Sequence, residues 1–233
     1  MNYVLVTSRS WNEVLAKRLT EMTGDTFHLI TNKDDLTLDN LNEIRPCYVF
    51  FPHWSHIIPE EIHAAYECVI FHMTDLPYGR GGSPLQNLIL RGHKNTQVSA
   101  LRCISELDAG PIYMKRSLSL SGSAAEIFLH ASDVIERMIF EIVHTKPRPE
   151  PQQGTPFTFR RRTPDESSLD EADITNLNDF FDFIRMLDAE GYPKAFLALH
   201  GHRLELSDVR YEQEQLVGSF MIRRTGPDLE GKT

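Results

Sequence analysis

A histidine and an aspartate each lie at the end of an apolar segment in the first half of the chain. His72 ends the run ECVIFH, and Asp108 lies in the turn LDAG, which follows the apolar run QVSALRCI. A carboxylate beside an imidazole orients the ring and stabilises its protonated form, as general-base catalysis requires. We therefore predict that His72 and Asp108 are catalytic; a structural histidine and a turn-capping aspartate are the alternatives.

A glycine-rich segment, YGRGGSP, follows shortly after His72. Glycines let a backbone approach a ligand closely, because they have no Cβ atom. Tyr78 and Arg80 of this segment are candidates for contact with a sugar or a phosphate. The segment lacks the Lys-Ser/Thr pair of a phosphate-binding P-loop, so a tight turn between a strand and a helix is equally consistent with it.

Apolar runs alternate with amphipathic segments along the first 145 residues. The runs YVLVT, TFHLI, CYVFF and ECVIFH predict buried strands, and the segments between them predict helices. This alternation predicts an α/β fold, with a Rossmann-like domain whose mostly parallel sheet is covered by helices. Ligands bind at the carboxyl ends of the strands in such sheets, and His72 lies at one of these ends.

A Pro/Gln/Gly-rich segment, KPRPEPQQGTP, follows a long helix that is predicted over about residues 124–143. Its composition is typical of a linker. Beyond it, the sequence predicts a helix around NDFFDFIRMLDAEG, a hairpin that turns near Gly201 and a last strand. We therefore predict a catalytic domain at 1–145, a linker at 146–157 and a small α+β subdomain at 158–233.

Composition and charge limit the expected partners. The chain has 233 residues and a net charge of −9, and its basic cluster Arg160–Arg162 is too small for a long polyanion, so no nucleic acid is expected. No apolar stretch reaches the roughly 20 residues that cross a bilayer, and the N-terminal segment lacks a signal-peptide pattern, so no membrane is expected. Three scattered cysteines favour a reducing, cytoplasmic location. His53 and His56 have no third metal ligand nearby, so no metal is expected.

Two segments together resemble the signatures of the formyltetrahydrofolate-dependent formyltransferases. These segments are HMTDLPYGRGGSPLQ and TQVSALRCISELDAGPIY. Two later segments, FRRRTPDES and GYPKAF, are similar to the link to the C-terminal part in sugar and methionyl-tRNA formyltransferases. The match covers roughly residues 48–206. The resemblance implies that a formyl group is transferred from N10-formyltetrahydrofolate to an amine, that tetrahydrofolate is the product, and that His72 and Asp108 are catalytic.

The resemblance also implies which residues bind the ligands. Folate contacts are expected in the loop PHWSH and in CISELDAG, at Pro52, His53, Trp54, Ser55, Ile104, Glu106 and Leu107. Substrate contacts are expected at Thr74, Tyr78, Arg80, Gly81, Asn87, Arg160 and Arg161. The arginines are the expected partners of a diphosphate.

One position departs from the family pattern. The family has Asn-x-His, where the asparagine hydrogen-bonds the formyl oxygen, and here Ile70 stands in its place. An isoleucine has no donor, and the loss of one such donor typically costs about 10²–10³ in turnover. His53, Thr74, Asn87 or protonated His72 are the candidate replacements, and a slow or inactive enzyme is the alternative.

The acceptor is expected to be the amine of a nucleotide-linked amino sugar. The variant MTDLPYGRGGSP resembles enzymes that act on UDP-linked 4-amino-4,6-dideoxy sugars of the pseudaminic acid type, for bacterial surface polysaccharides, so UDP is favoured over dTDP. Transfer to tRNA is not expected, because the chain is acidic where a basic RNA-binding barrel would begin. The alternatives are a formyltetrahydrofolate hydrolase and a non-catalytic folate- or nucleotide-sugar-binding protein. A homodimer formed through the C-terminal part is also expected.

Overall fold

The computed structural model describes residues 1–170 and 172–224. The C-terminal segment TGPDLEGKT, which the sequence assigns to the small subdomain, lies outside the described residues. Over these residues the chain forms eleven strands and six α-helices, besides three short 3-10 helices: β1 (Asn2–Val6), α1 (Glu13–Thr23), β2 (Thr26–Ile30), α2 (Leu38–Ile44), β3 (Val49–Phe51), α3 (Glu60–Ala65), β4 (Cys68–His72), β5 (Tyr78–Gly81), α4 (Pro84–Leu90), β6 (Asn95–Arg102), β7 (Ile112–Ser119), α5 (Ala124–Thr145), β8 (Phe157–Phe159), α6 (Leu177–Arg185), β9 (Ala195–Leu199), β10 (His202–Glu212) and β11 (Gln215–Arg224).

A six-stranded sheet forms the centre of the first compact unit, which comprises residues 1–84, 95–119 and 129–159. The strand order is β2-β1-β3-β4-β6-β7. Strands β1 to β4 run parallel, whereas β6 and β7 are antiparallel to their neighbours. The predicted Rossmann-like, mostly parallel sheet is therefore confirmed.

The local sequence explains why these elements form. All three residues of β3 are buried, as expected for a continuous apolar strand that is covered on both faces. Helix α1 buries Leu15 and Leu19 on one face and ends at Gly24, which has a φ of 73° and donates its backbone N–H to the Thr20 carbonyl. The pairing of Phe51 with Ile70 places the ends of β3 and β4 at the same edge of the sheet.

The antiparallel direction of β6 affects the position of Asp108. His72 pairs with Ser99 and Val69 pairs with Arg102, so β6 ends beside the start of β4 and not beside its carboxyl end. Asp108 therefore reaches the carboxyl end of β4 only because the loop 103–111 carries it there.

Strands β5 and β8 form a small parallel sheet that the sequence did not predict. The glycine-rich segment was open to two interpretations, a phosphate-binding segment or a tight turn, and its residues Tyr78 and Gly81 pair with Phe157 and Phe159. Phe159 is 2% exposed, and the rings of Tyr78 and Phe157 stack at a centroid distance of 5.4 Å. Aromatic burial thus stabilises this pairing, which begins where the Pro/Gln/Gly-rich segment ends.

The second compact unit comprises residues 85–94, 120–128 and the described residues from Arg160 onward. It contains α6 and an antiparallel sheet of order β11-β10-β9, so the predicted α+β character is confirmed. The hairpin turns at His200 and Gly201 as predicted, and both residues have positive φ angles. Arg185 is 4% exposed and donates to the carbonyls of Leu120 and Gly122. The contiguous domain boundaries stay a prediction.

In residues 1–170 and 172–224, no helix is both long enough and apolar enough to cross a bilayer.

Candidate active site

His72 lies at the end of β4, with 9% of its surface exposed. Its Nε2 atom lies 2.7 Å from the carbonyl oxygen of Gly79. A carbonyl oxygen only accepts hydrogen bonds, so Nε2 carries a proton and donates it. Nδ1 is therefore the ring nitrogen that can take up a further proton.

Asp108 faces Nδ1 of His72. The Asp108 Oδ2 atom lies 3.6 Å from Nδ1 and accepts a hydrogen bond of 2.9 Å from the backbone N–H of Gly81. Asp108 is 8% exposed and has a φ of 51°, a left-handed conformation that aspartate tolerates better than most residues. The structure thus brings the two predicted catalytic side chains together, and a proton gained at Nδ1 would lie beside a carboxylate.

The two glycines of β5 allow close packing against β8. A Cβ atom at Gly79 would lie 2.7 Å from the Phe159 ring and 2.8 Å from the Thr74 methyl group, and one at Gly81 would lie 2.5 Å from the Phe159 carbonyl oxygen. Their φ angles of 80° and 94° also favour glycine. Packing within the protein therefore accounts for both glycines without a bound phosphate.

Thr74 and Arg80, both predicted to contact the substrate, bond to other protein groups. Thr74 is fully buried, and its hydroxyl donates to the Gly79 carbonyl at 3.2 Å. The Arg80 guanidinium donates to Gln152 Oε1 through Nε and NH2, and to Glu106 Oε1 through NH1 at 3.0 Å. The Thr74 and Arg80 side chains therefore both connect β5 to neighbouring segments of the protein.

The loop that begins at Pro52, at the end of β3, is anchored by residues that sequence reasoning missed. The Ser8 hydroxyl donates to the His53 carbonyl at 3.0 Å, and Asn12 Nδ2 lies 3.0 Å from His53 Nδ1. Asn12 is fully buried, and its Oδ1 accepts from the Ser132 hydroxyl at 2.6 Å. This bond orients the Asn12 amide, so Nδ2 donates to His53 Nδ1.

His53 is held in its neutral form. Burial, together with the positive charge of Arg9, lowers the pKa of the His53 imidazole to about 4. Because Nδ1 accepts from Asn12, the single proton of the neutral ring is on Nε2. His53 is thus a neutral N–H donor in the loop that follows β3.

The other predicted folate residues lie in two loops of the first unit. Trp54 is partly buried against Phe51, and Ser55 Oγ lies 3.3 Å from the hydroxyl of Ser8. Ile104 and Leu107 are 38% and 66% exposed. Exposed apolar side chains of this kind are available to contact the flat ring of a ligand.

The remaining predicted substrate residues belong to the second compact unit. The Asn87 amide donates to the carbonyl of Arg160 at 3.2 Å, and its oxygen accepts from Arg91 at 3.0 Å. The exposed Arg160 guanidinium pairs with Glu166, and Arg161 is exposed. Asn87 therefore already bonds within its own unit, as Thr74 does in the first unit.

Ile70 is the residue that the sequence aligns with the family asparagine, and this alignment stays a prediction. It lies on β4 between Phe51 and Leu101, and it packs against the apolar core around β1 and β3. Of the four side chains predicted to replace the asparagine, Thr74 and Asn87 donate to protein carbonyls, His53 carries its proton on Nε2, and His72 donates from Nε2 to the Gly79 carbonyl. Their role towards a formyl oxygen stays a prediction.

Comparisons with known proteins identify the family. A methionyl-tRNA formyltransferase from Clostridium thermocellum, of solved structure, is 43% identical, covers 96% of this chain and 99% of its own, and superposes with a TM-score of 0.92. The family domain described as "Methionyl-tRNA formyltransferase, C-terminal domain" matches residues 164–223. This chain belongs to the formyltransferase family, whose members use N10-formyltetrahydrofolate, so the predicted family and cofactor are confirmed.

A curated relative agrees with this assignment over part of its length. The methionyl-tRNA formyltransferase of Sulfurihydrogenibium sp. is 26% identical over 190 residues, which are 78% of this chain and 60% of the relative. The chain thus spans less than two thirds of the length of this relative.

The predicted acceptor and partner are wrong. The 43% identical structure and the curated relative are both named methionyl-tRNA formyltransferases, whereas a sugar N-formyltransferase from Shewanella sp. is 14% identical, with a TM-score of 0.66. These findings overturn the nucleotide-linked amino sugar, the surface-polysaccharide pathway and the exclusion of nucleic acid. Net charge misled the prediction, because an average over the whole chain does not report the charge at the surface that contacts a substrate.

Proposed function

We propose that this chain transfers the formyl group of N10-formyltetrahydrofolate to the amine of methionyl-tRNA. The observation that carries the proposal is the buried His72–Asp108 pair, in which Nδ1 of the imidazole faces a carboxylate. The identity of 43% to the Clostridium thermocellum enzyme, over nearly the whole of both chains, supports the choice of acceptor.

The residues of the chain supply the proton transfer. The amine nitrogen bonds to the formyl carbon, and the bond from that carbon to N10 breaks, so tetrahydrofolate is the leaving group. The amine loses one proton in this exchange; His72 would take it up at Nδ1, and the proton would then pass to N10 of the leaving tetrahydrofolate. Asp108 stabilises the resulting imidazolium, while the Gly79 carbonyl holds the opposite side of the ring through Nε2. Such a positioned base typically contributes about 10²–10⁴ in rate.

The folate site is proposed for the two loops of the first unit. The loop at Pro52–Ser55 and the apolar side chains of Ile104 and Leu107 would hold N10-formyltetrahydrofolate, which supplies the formyl group. Asn12 and Ser8 fix the first loop in place, so its backbone is ordered before the ligand binds. A cytoplasmic location is part of the proposal, because the cysteines of the described chain are free thiols.

The test is formyl transfer from N10-formyltetrahydrofolate to methionyl-tRNA, read by mass as formylmethionine after the ester is hydrolysed. We expect product from the unmodified chain, at least about a 10²-fold lower kcat for His72→Gln, and no change for the exposed control His130→Gln. No formylmethionine would refute the acceptor. Release of tetrahydrofolate without an acceptor would instead indicate a hydrolase, and an active His72→Gln variant would refute the base.

A further inference from the structure

A side chain of the segment predicted as a linker lies against the candidate active site. Gln152 Nε2 donates to the carbonyl of Asp108 at 2.8 Å and to that of Gly110 at 2.9 Å. Gln152 Oε1 accepts from Arg80 Nε at 3.1 Å and from Arg80 NH2 at 2.8 Å. Both ends of this partly buried amide are therefore engaged, each with two partners.

These four hydrogen bonds connect the two backbone segments that hold the catalytic pair. Arg80 lies in β5 between Gly79, whose carbonyl accepts from His72, and Gly81, whose N–H donates to Asp108. Asp108 lies in the loop 103–111, which returns from the far end of β6. Gln152 thus connects the loop that carries Asp108 to β5, the strand whose Gly79 carbonyl accepts from His72.

The Asp108 loop needs such a support. Asp108 is left-handed, a conformation that costs most non-glycine residues roughly 1–2 kcal/mol and aspartate less, and neighbouring contacts offset this cost. Two further side-chain contacts join the loop to β5: the Asp108 carboxylate accepts from the Gly81 N–H, and Glu106 pairs with Arg80. The Glu106 contact is weak, because the Glu106 side chain is 72% exposed and an exposed ion pair contributes little. The bonds of Gln152 are more sheltered, and one of them is made to the carbonyl of Asp108 itself.

We propose that Gln152 is a positioning residue for the reaction, which holds the Asp108 carboxylate at Nδ1 of His72 by fastening the loop 103–111 to Arg80. This inference rests on the proposed function for its catalytic consequence, and on the hydrogen bonds for its structural part. The donating half of the amide fixes the loop, and the accepting half fixes Arg80.

Two substitutions separate the halves. Gln152→Met keeps the length of the side chain but removes all four bonds, whereas Gln152→Glu keeps the acceptor for Arg80 and removes both donations to the loop. The matched control is Gln153→Met, because Gln153 is the exposed neighbour in the same segment.

Two readouts are measured on the full chain. The first is hydrogen exchange of peptides that cover 78–82 and 103–112, and the second is kcat and KM for N10-formyltetrahydrofolate with methionyl-tRNA as acceptor. We expect faster exchange of the loop in both Gln152 variants, a fall in kcat of about 10–100-fold and a KM within about threefold of the original value. Gln153→Met should change neither readout.

The outcomes distinguish this inference from the proposed function. Unchanged exchange at 103–112 in both Gln152 variants would overturn the inference, whatever the activity. Faster exchange with an unchanged kcat would also overturn it, as would a general loss of thermal stability with kcat and KM changed together. If the unmodified chain forms no formylmethionine, the proposed function fails, and the exchange of the loop still decides whether Gln152 positions Asp108.

Discussion

The charge of Asp108 can be removed with almost no change in shape. Asp108→Asn keeps the size of the side chain, and asparagine tolerates the left-handed φ of 51°. The amide oxygen of asparagine can still accept from the Gly81 N–H, which now bonds to Oδ2. The substitution therefore tests the electrostatic role of the carboxylate separately from the anchoring of the loop.

The geometry gives the size of the expected effect. At the observed 3.6 Å between Oδ2 and Nδ1, a carboxylate and an imidazolium attract each other by about 5 kcal/mol for an effective dielectric constant near 20. Each 1.36 kcal/mol corresponds to about tenfold in rate, so the loss of most of this attraction lowers kcat by about 10²–10³-fold. The KM for N10-formyltetrahydrofolate should change little, because the charge acts on the imidazolium that forms during the reaction.

The assay is initial-rate formylation of methionyl-tRNA, with thermal unfolding measured in parallel. The control is Asp34→Asn, since Asp34 is exposed and outside the site. A stable Asp108→Asn variant with a kcat within threefold of the original would refute the electrostatic role of Asp108. A fall in kcat that is matched by the Asp34 control would refute it as well.

Two further predictions concern stability. The pKa of His53 is lowered from 6.5 to about 4, so the imidazole of the unfolded chain gains its proton first as the pH falls. The free energy of unfolding therefore declines between pH 6.5 and pH 4, by up to about 3 kcal/mol. Urea titrations at pH 7 and 4.5 should show that His53→Gln loses this part of the decline, and an equal decline in both proteins would contradict the prediction. Gly110→Ala places a Cβ atom 1.8 Å from the Arg102 carbonyl oxygen, so this variant should unfold at a lower temperature than the control Gly92→Ala. The Cβ atom of the control meets open space, and the control costs only the roughly 1–2 kcal/mol of a left-handed alanine. A Gly110→Ala variant as stable as Gly92→Ala would disprove the steric conflict.

The fold could be predicted because its signals are local. Apolar runs of strand length, separated by helical periodicity, predicted the mostly parallel sheet, and the position of His72 at the end of such a run predicted its location at the carboxyl edge. The β5–β8 sheet could not be predicted, because it joins a glycine-rich segment to an apparent linker. Its stability comes from the burial of Phe159 and the stacking of Tyr78 on Phe157.

The supporting residues of the site carry no sequence signal of their own. Gln152 lies in a Pro/Gln/Gly-rich segment, and Asn12 directly precedes the ordinary amphipathic helix α1. Their roles depend on bonds to residues far away in the chain, such as the bond from Gln152 to Asp108 and the bond from Asn12 to His53. An amide side chain is recognisable as a support only when both of its ends can be seen engaged.

The sequence by itself determined the fold class, the two catalytic candidates and, through the resemblance, the formyl donor, because these depend on periodicity and on short motifs. It did not determine the acceptor, for which net charge was a poor guide. Only the tertiary structure decided that Asp108 faces Nδ1 while Gly79 holds Nε2, because β6 runs antiparallel and the loop 103–111 must return to His72. That return depends on close packing at Gly110 and on the bonds of Gln152, which are contacts between distant parts of the chain that no local pattern encodes.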